Sequence, residues 1–167
     1  RQTQRKQREK IPLPVCALVG YTNAGKSSLI NALLAEDRLL VSNVAGTTRD
    51  FVEVRLMLPS GEIRLVDTAG IGNAPVSELD ALSMEKSKAI LAEADLKIHL
   101  VDPAEGKLKS EENELLVYSK SDILKVENEF CVSSKTREGL DELRNLLNEK
   151  LYSKNDARCQ MSVCFYA

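Results

Sequence analysis

Several absences narrow this sequence before any motif is considered. No apolar run reaches the length of a membrane span, and no signal-peptide pattern opens the chain. A cytoplasmic protein with no membrane partner is therefore expected. Neither sign of charge dominates: 23 basic and 25 acidic residues leave a formal net charge of -2, which excludes a polycation built to coat nucleic acid. The cysteines, Cys16, Cys131, Cys159 and Cys164, show neither CxxC nor metal-ligand spacing, and fit a reducing compartment. Cys16 and Cys131 sit in apolar runs and read as buried thiols. The one histidine, His99, lies inside an apolar strand-like run and reads as a core or edge residue rather than a base. No internal repeat is present.

What remains is one domain's worth of chain. At 167 residues it can bury roughly two-thirds of its unfolded surface. Its 43% hydrophobic content argues against disorder. Residues 1–13 begin with "RQTQRKQREK", five bases and one acid, and read as a linker or solvated helix, with an RNA contact as the alternative. Residues 14–152 form the folded domain. Residues 153–167 give no clear structural signal.

"VCALVG" (15–20) has the continuous apolarity of a strand covered on both faces. Leu29, Ile30, Leu33 and Leu34 then recur at helical spacing. "FVEVRLML" (51–58) alternates, "PSG" turns, and "EIRLVD" (62–67) returns, which predicts an antiparallel hairpin. A helix is expected over 77–95. Strands follow at "LKIHLVD" (96–102), "LLVYS" (115–119) and "EFCVSS" (129–134), and a helix at 138–151 carries Leu140, Leu143, Leu147 and Leu151 on one stripe. Strands alternating with helices predict a mostly parallel sheet with helices on both faces.

The chemistry begins at "GYTNAGKS" (20–27), a G-x-x-x-x-G-K-S loop between a predicted strand and a predicted helix. Its glycines let successive N–H groups turn inward toward phosphate oxygens, and the helix N-terminus adds the positive end of its dipole. The loop contributes Asn23, Ala24, Gly25, Lys26, Ser27 and Ser28. Lys26 supplies a charge to the β- and γ-phosphates, and the Ser27 hydroxyl suits Mg²⁺. This loop alone does not separate ATP from GTP. "DTAG" ends a strand, with Asp67 suited to the Mg²⁺ shell, directly or through water, and Thr68, Ala69 and Gly70 beside the γ-phosphate. "SKSD" ends a later one, where Lys120 precedes Asp122, whose carboxylate can accept from guanine N1 and N2, a pattern adenine lacks. Ser133, Ser134 and Lys135 end the last strand, where a backbone N–H can meet guanine O6. All lie at the carboxyl ends of strands, where open α/β sheets bind ligands.

These residues, with "NAGKSSLINALL", "AGTTRD", "RLVDTAGI", "EKSKAILAEADL" and "SSKTREGLDEL", resemble the Ras-like P-loop GTPases. Within them they most resemble the G domain of the MnmE (TrmE) family of bacterial tRNA-modification GTPases, over about 15–151. Era and Der relatives share much of the pattern. The resemblance implies a six-stranded, mostly parallel sheet in the order 6-5-4-1-3-2. It implies GTP and GDP as ligands and Mg²⁺ held by Ser27, Thr48 and Asp67. Switch I lies around Ser42, Asn43, Val44, Ala45, Gly46, Thr47 and Thr48, and Arg49 is expected to brace it or to act in catalysis. It also implies potassium activation. Ile71 stands where many relatives place a water-orienting glutamine, and Ile71 cannot hydrogen-bond. Asn23, Ser42, Val44 and Thr47 match a K⁺ shell that supplies charge in place of an arginine finger. The switch-II carboxylate matches Asp80, with Glu78 as the competitor.

Two departures stand out. "SKSD" puts Ser119 where the family has asparagine. Only "PAEGKLKSEENE" joins the strands ending at Asp102 and starting near Leu115, so the third helix must shrink to a turn or two. The resemblance implies a nucleotide-dependent G-domain homodimer acting with the partner MnmG on tRNA wobble uridine. The alternatives are an Era- or Der-like ribosome-assembly GTPase binding rRNA, and a nucleotide-binding scaffold without turnover.

Overall fold

The computed structural model describes residues 12–21, 23–36, 52–68 and 78–163, without the side chains of 36, 52, 78–84 and 154–163. Eight elements follow in order: β1 (Val15–Val19), α1 (Lys26–Glu36), β2 (Val52–Leu58), β3 (Gly61–Asp67), α2 (Glu78–Glu93), β4 (Leu96–Val101), β5 (Glu114–Tyr118) and α3 (Leu140–Val163).

Among the described residues the sheet has five strands in the order β2-β3-β1-β4-β5. β1 pairs in parallel with β3 and β4, β4 with β5 in parallel, and β2 with β3 antiparallel. The expectation of a six-stranded, mostly parallel sheet in the order 6-5-4-1-3-2 is therefore corrected to a mixed five-stranded one. The segment 129–134 contributes a single parallel bridge, Tyr118 to Cys131. The Tyr118 N–H donates to the Phe130 carbonyl and the Val132 N–H to the Tyr118 carbonyl, each at 2.8 Å. The ladder stops there for two reasons. Asn128 upstream is left-handed (φ 62°) and bends the chain away, and β5 itself ends at Tyr118, before left-handed Lys120 (φ 56°).

Register sorts the strand residues onto two faces. Cys16, Leu18, Leu56, Leu58, Ile63, Leu65, Leu96, Ile98, Leu100, Leu115 and Val117 share one core with Leu29, Ile30 and Leu33 of α1 and Leu140, Leu143, Leu147 and Leu151 of α3. The leucines of α3 fall at helical spacing and are buried. Each contributes roughly 1.5–3 kcal/mol of transfer free energy. α3 also straps the hairpin. Ser60 N–H donates to Asn148 Oδ1 (2.8 Å), the Tyr152 hydroxyl to the Glu62 carbonyl (2.7 Å), and Arg144 to the carbonyls of Met57 and Leu33. Its backbone continues helically to Val163, past the point where the sequence pattern fades.

Cys16 is fully buried, and burial pushes its thiol pKa far up. Cys131 is half-buried, with Sγ near the carbonyls of Val126 and Glu129. His99 sits at the β4–β5 edge with Nδ1 3.0 Å from Glu114 Oε1, a structural pairing. The β4–β5 crossover holds one 3-10 turn, Pro103–Glu105, capped by Asp102 Oδ1 on the Ala104 N–H. An extended segment follows, pinned where the Leu108 N–H donates to the Tyr118 hydroxyl (3.0 Å).

Candidate functional site

The carboxyl ends of β1, β3, β4 and β5 lie side by side, and the loops leaving them carry the chemistry. After β1 the chain crosses so close to β4 that a Cβ on Gly20 would stand 2.3 Å from the Leu100 carbonyl oxygen. Backbone cannot yield there, so only glycine fits. Gly25 takes φ +89° with open space around it. Between them the Ala24 N–H turns onto the Tyr21 carbonyl (3.0 Å), and α1 begins at Lys26.

Lys26 is buried, and its Nζ donates to the carbonyls of Gly20 and Tyr21, both at 2.8 Å. Burial lowers its pKa, and Asp67 and Glu105 oppose that shift. The ammonium is thus held inside a ring of main chain, where an arriving anion can take the place of two neutral carbonyls. Ser27 Oγ lies 3.5 Å from Asp67 Oδ2. Asp67 Oδ1 is buried and is the side-chain oxygen left without a partner among the described residues. Burial raises the Asp67 pKa, against the pull of Lys26 and Ser27. One hydroxyl and one under-satisfied carboxylate suit Mg²⁺, which binds through one or two protein oxygens plus water and phosphate.

The second half of the site follows β5. Asp122 is exposed and accepts from Ser133 Oγ (2.6 Å), which holds its carboxyl below the usual range. Ser133 is buried and in turn accepts the Thr136 N–H (3.1 Å). Lys120 is ion-paired with Asp102 at the end of β4. An apolar cleft of about 250 Å³ opens beside that pair, lined also by Pro103, Ala104, Ile123 and Leu124.

The structure brings together Asn23, Ala24, Gly25, Lys26, Ser27, Ser28 and Asp67 in one half, and Lys120, Asp122, Ser133, Ser134 and Lys135 in the other. Asn23, Ser27, Ser28 and Lys135 are exposed. The Thr68 side chain is buried and donates to the Leu18 carbonyl (2.9 Å), which staples β3 to β1. Asp80 and Glu78 lie in the first turn of α2. Ser42, Asn43, Val44, Ala45, Gly46, Thr47, Thr48, Arg49, Ala69, Gly70 and Ile71 lie outside the described residues. Motif reading missed Asp102 and Glu138. Asp102 had a signal, since it ends a strand as Asp67 does.

Comparison with known proteins decides the family. The family model described as 50S ribosome-binding GTPase matches residues 15–129. The chain belongs to that family of P-loop GTPases. This GTPase is 38% identical over 139 residues to the tRNA modification GTPase MnmE of Dinoroseobacter shibae, covering 81% of this chain and 32% of that protein. It is 37% identical over 152 residues to the MnmE of Neisseria meningitidis serogroup C, covering 79% and 34%. The chain thus spans about a third of the length of these relatives. Among solved structures, the G domain of the T. maritima FeoB iron transporter superposes with a TM-score of 0.55 at 25% identity, covering 83% of this chain and 99% of that one. A bacterial selenocysteine-specific elongation factor shares the fold at 21% identity and a TM-score of 0.59, covering 86% and 29%. The protein is an MnmE-like GTP-binding and GTP-hydrolysing domain. Among the described residues no helix is long and apolar enough to cross a membrane.

Proposed function

We propose that this GTPase domain is the nucleotide switch of an MnmE-like tRNA-modification GTPase, with GTP lying across the ends of β1, β3 and β5. The observation that carries the reading is the convergence of Lys26, Ser27 and the Asp67 oxygen that has no partner among the described residues in one half with Asp122 in the other, in a chain 35–38% identical to MnmE proteins.

In this reading the amides of residues 23–28 and the Lys26 ammonium bind the phosphates. Asp122 accepts the guanine N1 and N2 hydrogens, and a main-chain N–H in 133–135 meets O6. Ser27, Thr48 and Asp67, the last directly or through water, are the residues that would hold Mg²⁺, which when bound neutralises charge on the β- and γ-phosphates. Asn23, Ser42, Val44 and Thr47 would hold K⁺. Asp80 orients the attacking water from α2, with Glu78 as the alternative carboxylate. GTP-dependent pairing of two such domains, and action with MnmG on tRNA, complete the proposal.

The test is GTP turnover in K⁺ against Na⁺, with ATP as control. The expected result is at least tenfold faster turnover in K⁺, since charge placed at the transferring phosphate is worth about 10³–10⁵ in rate when an arginine supplies it. Asn23→Ala should erase the preference for K⁺. Equal rates in both salts would remove the potassium proposal. They would favour an Era- or Der-like rRNA-binding GTPase, a reading that membership of the 50S ribosome-binding GTPase family keeps open. That alternative calls for rRNA binding that weakens steeply with salt.

A further inference from the structure

The 119–122 and 133–135 turns face one ligand, yet little sheet joins them. With the last segment reduced to one bridge, few main-chain ties join them: Tyr118 to Phe130 and Val132, and the Ser121 N–H to the Val132 carbonyl. Each turn also carries a costly backbone: Lys120 (φ 56°) in the first and Arg137 (φ 65°) just after the second are left-handed without being glycine. Side-chain contacts add to those few ties.

Glu138 touches both. One carboxylate oxygen, Oε2, accepts from Ser121 Oγ at 3.0 Å, in the first turn. The other, Oε1, is paired with Lys125. Its own carbonyl accepts the Ser133 N–H at 2.9 Å, in the second turn. Ser121 is buried, and its N–H donates to the Val132 carbonyl (3.1 Å). The next residue passes close to the last segment: a Cβ on Gly139 would lie 2.5 Å from the Cys131 carbonyl oxygen, so only glycine fits there. Glu138 is thus anchored by backbone on one turn and grips the other by its side chain.

We infer that Glu138 is a positioning residue for base recognition, a clamp that sets the distance between Ser121-Asp122 and Ser133 and thereby aims the Asp122 carboxylate. The inference rests on the reading that these two turns hold guanine. The geometry has a direct consequence. Ser133 Oγ already holds Asp122 Oδ1, so the aim of the carboxylate depends on where Ser133 stands, and Ser133 stands where the Glu138 carbonyl puts its N–H. Releasing the side-chain grip leaves the turns tied by the Ser121 N–H to Val132 and by Ser133 Oγ to Asp122, which loosens the aim of the Asp122 carboxylate without touching Lys26, Ser27 or Asp67.

The experiment compares GDP with IDP, which lacks only the 2-amino group that Asp122 would read, and with ADP. Wild type should bind GDP more tightly than IDP and both far more tightly than ADP. Glu138→Ala should weaken GDP by roughly five- to tenfold, the scale of one ordinary hydrogen bond, and IDP by clearly less, so the GDP-to-IDP ratio falls. Glu138→Gln, whose amide oxygen can still accept from Ser121, should restore most of the ratio. Ser121→Ala removes the same contact from the other side and should reproduce the Glu138→Ala ratio, which keeps the test open if Glu138→Ala does not fold. A lowered melting temperature with the GDP-to-IDP ratio intact in these variants means a purely structural role and overturns the inference. If wild type itself does not prefer GDP to ADP, the guanine reading fails first, a different outcome from an intact ratio.

Discussion

Ser119 shows how one side chain sets affinity. It is 5% exposed, and both its hydroxyl (3.2 Å) and its N–H (2.8 Å) donate to the Val101 carbonyl. Its single side-chain donor is spent inside the sheet, whereas the asparagine usual at this place offers two donors and an acceptor. Ser119→Asn should therefore tighten GDP binding by about 1–2 kcal/mol, some 5- to 30-fold, in titration calorimetry. An unchanged affinity would mean that the serine costs nothing. At this scale a motif names residues but not the direction their side chains take. The motifs name Lys26, Ser27 and Asp67 by residue type and order; that the Thr68 hydroxyl turns back to Leu18 and that of Ser133 supports Asp122 is a matter of tertiary contact that no motif states.

Elements were legible where pattern and length agreed. The hairpin, the α3 leucine stripe and the short β4–β5 crossover follow from alternation, helical spacing and a count of linking residues. The sixth strand is reduced to one bridge, Tyr118 to Cys131, beyond which β5 offers no further strand residue. On the hairpin, Arg64 Nε and Nη2 donate to the two carboxylate oxygens of Glu53 (2.8 and 2.7 Å). That hydrogen bonding is the main cause of the fall in the Glu53 pKa below its ordinary 4.5. A depressed carboxyl contributes stability above its unfolded value and loses it as pH falls through its folded value. The side chains are 42% and 34% exposed, so solvent screening leaves the pair about 0.5–1 kcal/mol. Glu53→Gln should destabilise by that amount in urea unfolding at pH 7, and the difference from wild type should vanish below the carboxylate range. A difference that persists in acid would mean packing, not charge.

For the molecule as a whole, ligand and fold are linked. If the site binds guanine nucleotide only when folded, GDP at a hundred times its Kd adds about 2.7 kcal/mol to stability. For a chain of this size that is a rise of roughly 5–10 °C in melting temperature. ADP at the same concentration should give almost none. Equal shifts would remove the role of Asp122 as the group that selects the purine. The same division runs through the entire protein. Local order in the chain determined the phosphate loop, its lysine and serine, the strand-ending aspartates and the family, because each depends on contiguous residues whose backbone needs are specific. The tertiary structure alone decided that, among the described residues, the sheet stops at five strands and Asp67 keeps one oxygen unpartnered, and that Glu138 ties two turns together. Those depend on which buried groups find partners once the chain has closed, and spacing along a sequence does not encode that.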